Sequence, residues 1–217
     1  PGIAGHLVTA SIISAPASIA VAKLIMPETE KPVTQDTLGL EVKRSHGNVI
    51  EAAAGGATEG MKLFLNVIAM LIAFVALVAM ANYLLGYIPV FGAPLSIERI
   101  LGWIFAPLAF VMGIPWDEAQ LVGRFLGEKL VLTEFVAYIH LGQEMSSETP
   151  VLSQRSAIIA SYALCGFANF ASIGIQLGGI GAMAPERMKD LSSIALRSMI
   201  AGSLATCMTG AVVGLFI

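Results

Sequence analysis

The most constraining feature of this sequence is an uncharged run of 30 residues, from Ser156 to Pro185. About 20 apolar residues suffice for a helix to cross the hydrocarbon core of a bilayer. Within the run, however, the stretch Leu164–Gly181, "LCGFANFASIGIQLGGIG", holds five glycines and an asparagine. Glycine weakens a helix, and lipid offers no partners to backbone groups that a break sets free. The run therefore predicts a discontinuous transmembrane helix whose break lines a cavity or is buried in protein.

Close helix packing is an alternative interpretation of the same residues. Glycines spaced as Gly174 and Gly178 let membrane helices approach each other, and Asn169 can form an interhelical hydrogen bond worth about 1 kcal/mol. The cluster Gly166–Asn169 favours the break, because it combines flexible backbone, an aromatic ring and an amide in mid-run. Helices broken in this way hold the substrate in secondary transporters.

The composition predicts a polytopic membrane protein. Charged residues make up 12% of the 217 residues and hydrophobic residues 56%, whereas soluble domains carry about 25% charged residues. A net charge of −3 argues against nucleic acid as a partner. The cysteines and histidines show no metal-ligand spacing and no nucleophile–base arrangement, which disfavours a membrane-embedded enzyme.

Apolar and polar segments alternate along the chain and predict an all-α membrane protein, with transmembrane helices, a re-entrant helical hairpin and a broken helix. An excess of Lys and Arg places the first long polar segment in the cytoplasm. The predicted segments are a transmembrane helix at 1–26, a cytoplasmic linker with an amphipathic helix at 27–62, a transmembrane helix at 63–92, an interfacial helix at 93–116, the re-entrant hairpin at 117–143, the broken transmembrane helix at 151–185 and a C-terminal transmembrane helix at 190–217.

Glu134 is the second candidate site residue, because apolar residues flank it on both sides in "KLVLTEFVAYI". A carboxylate in such a membrane segment is costly unless it has a partner or faces water. It can accept hydrogen bonds from ligand hydroxyl groups. Glu134 and Asn169 together would suit a polyhydroxylated, uncharged solute such as a sugar or nucleoside. The alternative is a carboxylate at the water interface.

At these residues the chain resembles the C-terminal part of the concentrative nucleoside transporter family. The matching phrases follow one another in family order over almost the whole chain. They are "SAPASIAVAKLIMPETEKP", "NVIEAAAGGATEGMKLFLNVIAMLIAFVAL", "LGWIFAPLAFVMGIPWDEA", "TEFVAY", "LCGFANFASIGIQLGGIGAMAPER" and "IAGSLATCMTG".

The resemblance implies a multi-pass homotrimer in the cell membrane, with membrane lipid around it and a nucleoside as substrate. The helix at 63–92 would be the trimer scaffold, and the helix at 1–26 would belong to the mobile transport region. Glu134, Asn169 and Ser172 would bind the ribose hydroxyls, and Phe167 would lie beside the base. No cofactor is implied, but a coupling Na⁺ or H⁺ is, with ligands mostly outside this chain.

The family's first re-entrant hairpin, with its Gln-Thr-Glu motif, is not in this sequence, which opens "PGIAGHLVTA" without an initiator Met. We therefore expect either a piece of a longer importer or a chain that needs a partner chain, in both cases supplying the C-terminal half of the substrate site. The alternative is a transport-incompetent fragment or a structural, oligomerising membrane subunit.

Overall fold

The structure is a computed structural model that describes residues 3–29, 47–90 and 92–217, without the side chains at positions 3, 63, 66, 70, 71, 74, 182 and 183. The predicted cytoplasmic linker thus lies mostly outside the described residues. In chain order the elements are α1 (Ile3–Ile25), α2 (Val49–Leu85), β1 (Pro89–Val90), β2 (Ala93–Pro94), α3 (Ile97–Val111), α4 (Trp116–Val131), α5 (Glu134–Met145), α6 (Gln154–Leu164), α7 (Phe170–Met183), a 3-10 turn (Pro185–Arg187) and α8 (Met188–Gly214).

Two helical segments of the described residues are long and apolar enough to cross a membrane. They are Ala4–Ile25 and Pro185–Gly214, and α3 with α4 would be a third if this pair, bent by 119°, is counted as one span. Many large apolar side chains are exposed, among them Ile12, Ile72 and Leu196. A mostly helical protein with such a surface is suited to lipid.

Helix α2 is one continuous helix of 37 residues, whereas the sequence analysis divides it at residue 62. The Asn48 side chain caps its start by accepting from the Glu51 amide at 2.8 Å. The helix ends at Leu85, and the chain then forms the short antiparallel pair of β1 and β2. This pair is an addition to the all-α prediction.

Helices α3 and α4 pack closely because small residues face each other. A Cβ atom on Gly123 would lie 2.5 Å from the Gly102 carbonyl oxygen and 2.9 Å from the Ala106 nitrogen. The chain turns between the two helices at Gly113, whose φ of +94° suits glycine. Pro115 then precedes the first residue of α4, so Trp116 belongs to α4 and not to the predicted interfacial helix.

The main core lies where α3, α4, α5 and α6 meet α8. Its fully buried members include Ala109, Val122, Ile159 and Leu164. Arg155, in the first turn of α6, donates to the carbonyl oxygens of Gly113 and Gly214. These bonds link α6 to the turn after α3 and to the end of α8.

Helices α4 and α5 are antiparallel neighbours that adjoin at Leu132 and Thr133. A hydrogen bond of 2.7 Å joins the fully buried Glu128 carboxylate to His140 Nδ1 across this hairpin. Glu134, at the tip of this hairpin, lies beside the connection between α6 and α7.

Candidate functional site

The uncharged run is interrupted between α6 and α7. Helix α6 ends at Leu164, helix α7 begins at Phe170, and residues 165–169 connect them. Gly166 lies in this connection against α8, where an added Cβ would meet Thr206 Cγ2 at 2.5 Å. Any larger residue would therefore force the connection or the Thr206 side chain to shift.

The start of α7 is built by Asn169 and Ser172, which form a reciprocal capping box. Asn169 Oδ1 accepts from the Ser172 amide at 2.7 Å, and Ser172 Oγ accepts from the Asn169 amide at 3.2 Å. Ser172 Oγ also donates to the Asn169 carbonyl oxygen at 2.6 Å. Both side chains are buried, with exposed fractions of 1% and 4%. Ser172 is thus chiefly a structural cap, with limited spare capacity for a ligand.

Glu134 meets this capped helix from the hairpin tip. Asn169 Nδ2 donates to Glu134 Oε2 at 3.0 Å, across 35 positions of sequence. Glu134 is the first residue of α5, and its carboxylate therefore lies near the N-terminal ends of both α5 and α7. The positive ends of two helix dipoles favour a negative charge there.

Phe167 lies in the same interruption but turns outward. Its side chain is 70% exposed, whereas its neighbours Ala168 and Asn169 are buried. The structure therefore brings Glu134, Asn169 and Ser172 into one hydrogen-bonded group and leaves Phe167 as an open aromatic surface beside it.

The end of α6 is held by donors from other helices. Its last carbonyl groups lack partners within the helix. Tyr138 Oη donates to the Ser161 carbonyl oxygen at 2.6 Å, and Lys129 Nζ donates to that of Ala163 at 3.0 Å. Lys129 Nζ also donates to Thr206 Oγ1 at 2.7 Å. Lys129 is not among the predicted site residues, although a buried lysine is itself a signal of function.

Comparison with known proteins identifies the family of this chain. The family model described as "Na⁺ dependent nucleoside transporter C-terminus" matches residues 6–214. The chain belongs to the concentrative nucleoside transporter family. The predicted resemblance is thereby confirmed, and the family's members are transporters, so the enzyme hypothesis is rejected.

Relatives with this similarity include proteins from bacteria and animals. The uncharacterized transporter YutK of Bacillus subtilis is 45% identical over 98% of this chain and 52% of its own length. Human solute carrier family 28 member 3 is 44% identical over 97% of this chain and 32% of its own length. This chain thus spans about a third to a half of these transporters' length.

The fold also matches a solved concentrative nucleoside transporter, CNTnw. Its inward-facing, substrate-bound structure aligns with a TM-score of 0.81 and 43% identity, over 97% of this chain and 50% of CNTnw. An outward-facing structure of CNTnw aligns with the same TM-score and 41% identity, over 97% and 51% of the two chains.

Proposed function

We propose that this chain supplies the C-terminal half of the nucleoside site of an importer in the cell membrane. The observation that carries the proposal is the hydrogen bond between Glu134 and Asn169, at the interruption between α6 and α7. It joins a carboxylate and an amide that can both bind ribose hydroxyl groups. Membership of a nucleoside transporter family supports the choice of substrate class.

Unused hydrogen-bond capacity supports a ligand at this point. Within the described residues, Glu134 Oε1 makes no hydrogen bond, and Asn169 uses one of its two Nδ2 hydrogens. Two adjacent ribose hydroxyls would donate to the carboxylate and accept from the amide. Ser172 would hold Asn169 in orientation and offer one further acceptor lone pair.

Phe167 would form the base side of the site. Its exposed ring lies two positions from Asn169, and an aromatic face stacks on a nucleobase. Such stacking does not distinguish purines from pyrimidines by hydrogen bonding. The base would be read largely by the other half of the protein.

Transport would use alternating access. The hairpin of α4 and α5 would be re-entrant, and α6 with α7 would form one broken membrane helix with the site at the break. CNTnw has been solved in an inward-facing state and, with two substitutions, in an outward-facing state. A coupling Na⁺ or H⁺ would bind mostly to residues outside this chain and would order the site for the nucleoside.

The assembly we propose is a homotrimer in a lipid bilayer, with α2 as the scaffold helix. Helix α2 exposes large apolar side chains over several turns, including Phe64, Leu77 and Met80. Such a helix can pack against other protomers or against lipid.

The test is uridine uptake into proteoliposomes by the complete gene product, under a Na⁺ gradient and, separately, an H⁺ gradient. Glu134→Gln removes the charge but keeps the shape. We expect KM to rise about 10- to 100-fold, since a hydrogen bond to a charged group contributes about 1.5–3 kcal/mol. The matched control is Glu148→Gln, at an exposed position in the loop after α5. Uptake that Glu134→Gln leaves unchanged would contradict the proposal.

A structural, non-transporting role for the isolated 217 residues is the second candidate, because the chain spans only about half the length of YutK. Reconstitution of these residues alone separates the two roles. Uridine accumulation above that of empty vesicles would reject the structural role for the chain by itself.

A further inference from the structure

Lys129 is a buried cation beside the site. Only 3% of the residue is exposed, and its ammonium has two oxygen partners, the Ala163 carbonyl and the Thr206 hydroxyl. Among the described residues, no carboxylate lies within ion-pair distance of it. A buried charge without a counter-ion is costly in any protein interior. Its presence therefore calls for an explanation beyond packing.

The end of α6 explains part of this arrangement. Carbonyl groups and the helix dipole give this end a partial negative charge, which favours a cation. Lys129 projects from the last turn of α4, and its bond to Ala163 lies one residue before the end of α6. Thr206 belongs to α8 and also contacts the position where Gly166 would carry a Cβ. The ammonium thus joins three helices at the first residues of the interruption.

The hairpin presents charges of opposite sign to the two helix ends. Lys129, from α4, meets the end of α6, and Glu134, from α5, meets the start of α7. Each charge opposes the dipole of the helix end it contacts. Lys129 and Glu134 lie on either side of the hairpin turn at Leu132 and Thr133.

We propose that Lys129 is a positioning residue of the nucleoside site. It acts as a tethered cation at the end of α6 that balances the charge of Glu134, and this balance sets the affinity for the ribose hydroxyls. The ammonium donates to a carbonyl oxygen and a hydroxyl oxygen, and such oxygen atoms are also ligands for metal cations. This half of the site therefore carries its own cation. The inference rests on the proposed function.

The test measures the Kd of radiolabelled uridine for the purified complete gene product. Lys129→Met keeps the length of the side chain and removes the charge, and we expect Kd to rise about tenfold. Lys129→Arg keeps the charge and should recover part of the affinity. The control Lys189→Met, at an exposed position, should stay within about twofold.

A double-mutant cycle separates positioning from a merely structural effect. If Lys129 acts through the Glu134 charge, Lys129→Met should change Kd by less than about twofold in a Glu134→Gln background. A tenfold change in both backgrounds would overturn the proposal, as would an unchanged Kd in folded Lys129→Met.

A milder variant covers the case in which Lys129→Met does not fold. Thr206→Val removes one of the two ammonium partners, and we expect Kd to rise about threefold. An unchanged Kd in this variant would overturn the inference. If the unsubstituted protein binds no uridine, the proposed function and this inference both fall, whereas normal binding by all Lys129 and Thr206 variants removes only the inference.

Discussion

The end of α6 and the start of α7 are two halves of one interruption, yet they use their hydrogen-bonding groups differently. At the end of α6, the Ser161 and Ala163 carbonyl groups accept from Tyr138 and Lys129. At the start of α7, the polar groups cap the helix but leave Glu134 Oε1 without a partner among the described residues. Under the proposed function, only the end that leaves hydrogen-bonding capacity free would bind the ligand. The other end is stabilised internally.

Substitution at Gly166 should have the largest effect, and it should act on folding. Gly166→Ala places a Cβ 2.5 Å from Thr206 Cγ2, and overpacking of this kind costs about 1–3 kcal/mol. Thr206→Ser removes that methyl group and keeps the hydroxyl, so it should recover part of the lost free energy of unfolding in mixed micelles. Gly178→Ala is the control, because no atom lies within 4 Å of its Cβ position. Equal losses in both alanine variants would contradict the close-contact explanation.

Asn169 should separate stability from binding. Asn169→Ser keeps a good N-cap residue but loses the bond to Glu134. We expect the Kd of uridine to rise about tenfold, with the free energy of unfolding within about 0.5 kcal/mol of the original. Asn169→Ala should show the same Kd and lose about 1 kcal/mol more stability. Normal binding by Asn169→Ser would mean that the amide only caps α7.

Phe167 should affect binding alone. Phe167→Ala removes an exposed ring, so stability should change by less than about 0.5 kcal/mol. Loss of stacking should raise the Kd of uridine about fivefold, since aromatic pairs contribute about 1 kcal/mol. The Kd of ribose, which has no base, should not change. An equal loss of affinity for ribose would show that the ring supports the fold of the site.

Tyr138→Phe should have the smallest effect, and unlike Phe167→Ala it should lower stability without changing the Kd of uridine. Tyr138→Phe removes one bond to the end of α6, and hydrogen bonds within membrane proteins average about 0.6 kcal/mol. We expect a small loss of stability and an unchanged Kd of uridine. A raised Kd with unchanged stability would contradict the proposal that the end of α6 serves stability and the start of α7 serves binding.

The sequence predicts the interruption and not the contacts that hold it. Gly166 and Asn169, inside the uncharged run from Ser156 to Pro185, indicate the break between α6 and α7. The bond between Glu134 and Asn169 joins residues 35 positions apart. Spacing cannot predict such a contact, because it depends on how the hairpin packs. Residue types and the family resemblance both pointed to Glu134 and Asn169 as ligands of one solute, but neither predicted the hydrogen bond between them.

Other features were missed for local reasons. In the sequence, Lys129 is one of several charged residues in the hairpin. Nothing nearby marks it, because its two partners lie in α6 and α8. The strands of Pro89–Val90 and Ala93–Pro94 are too short to give a periodic pattern. The turn before α4 is easier to predict, because Gly113 and Pro115 are residue types typical of turns.

The central claim is that Glu134 accepts hydrogen bonds from ribose hydroxyls at the break between α6 and α7. The relative affinities for uridine and 2′,3′-dideoxyuridine test it most directly. Both ligands carry the same base and differ at the hydroxyls that Glu134 would bind. We expect the unsubstituted complete protein to bind uridine about tenfold more tightly than the dideoxy compound. In Glu134→Gln that ratio should fall close to one. The same preference for uridine in both proteins would contradict the account.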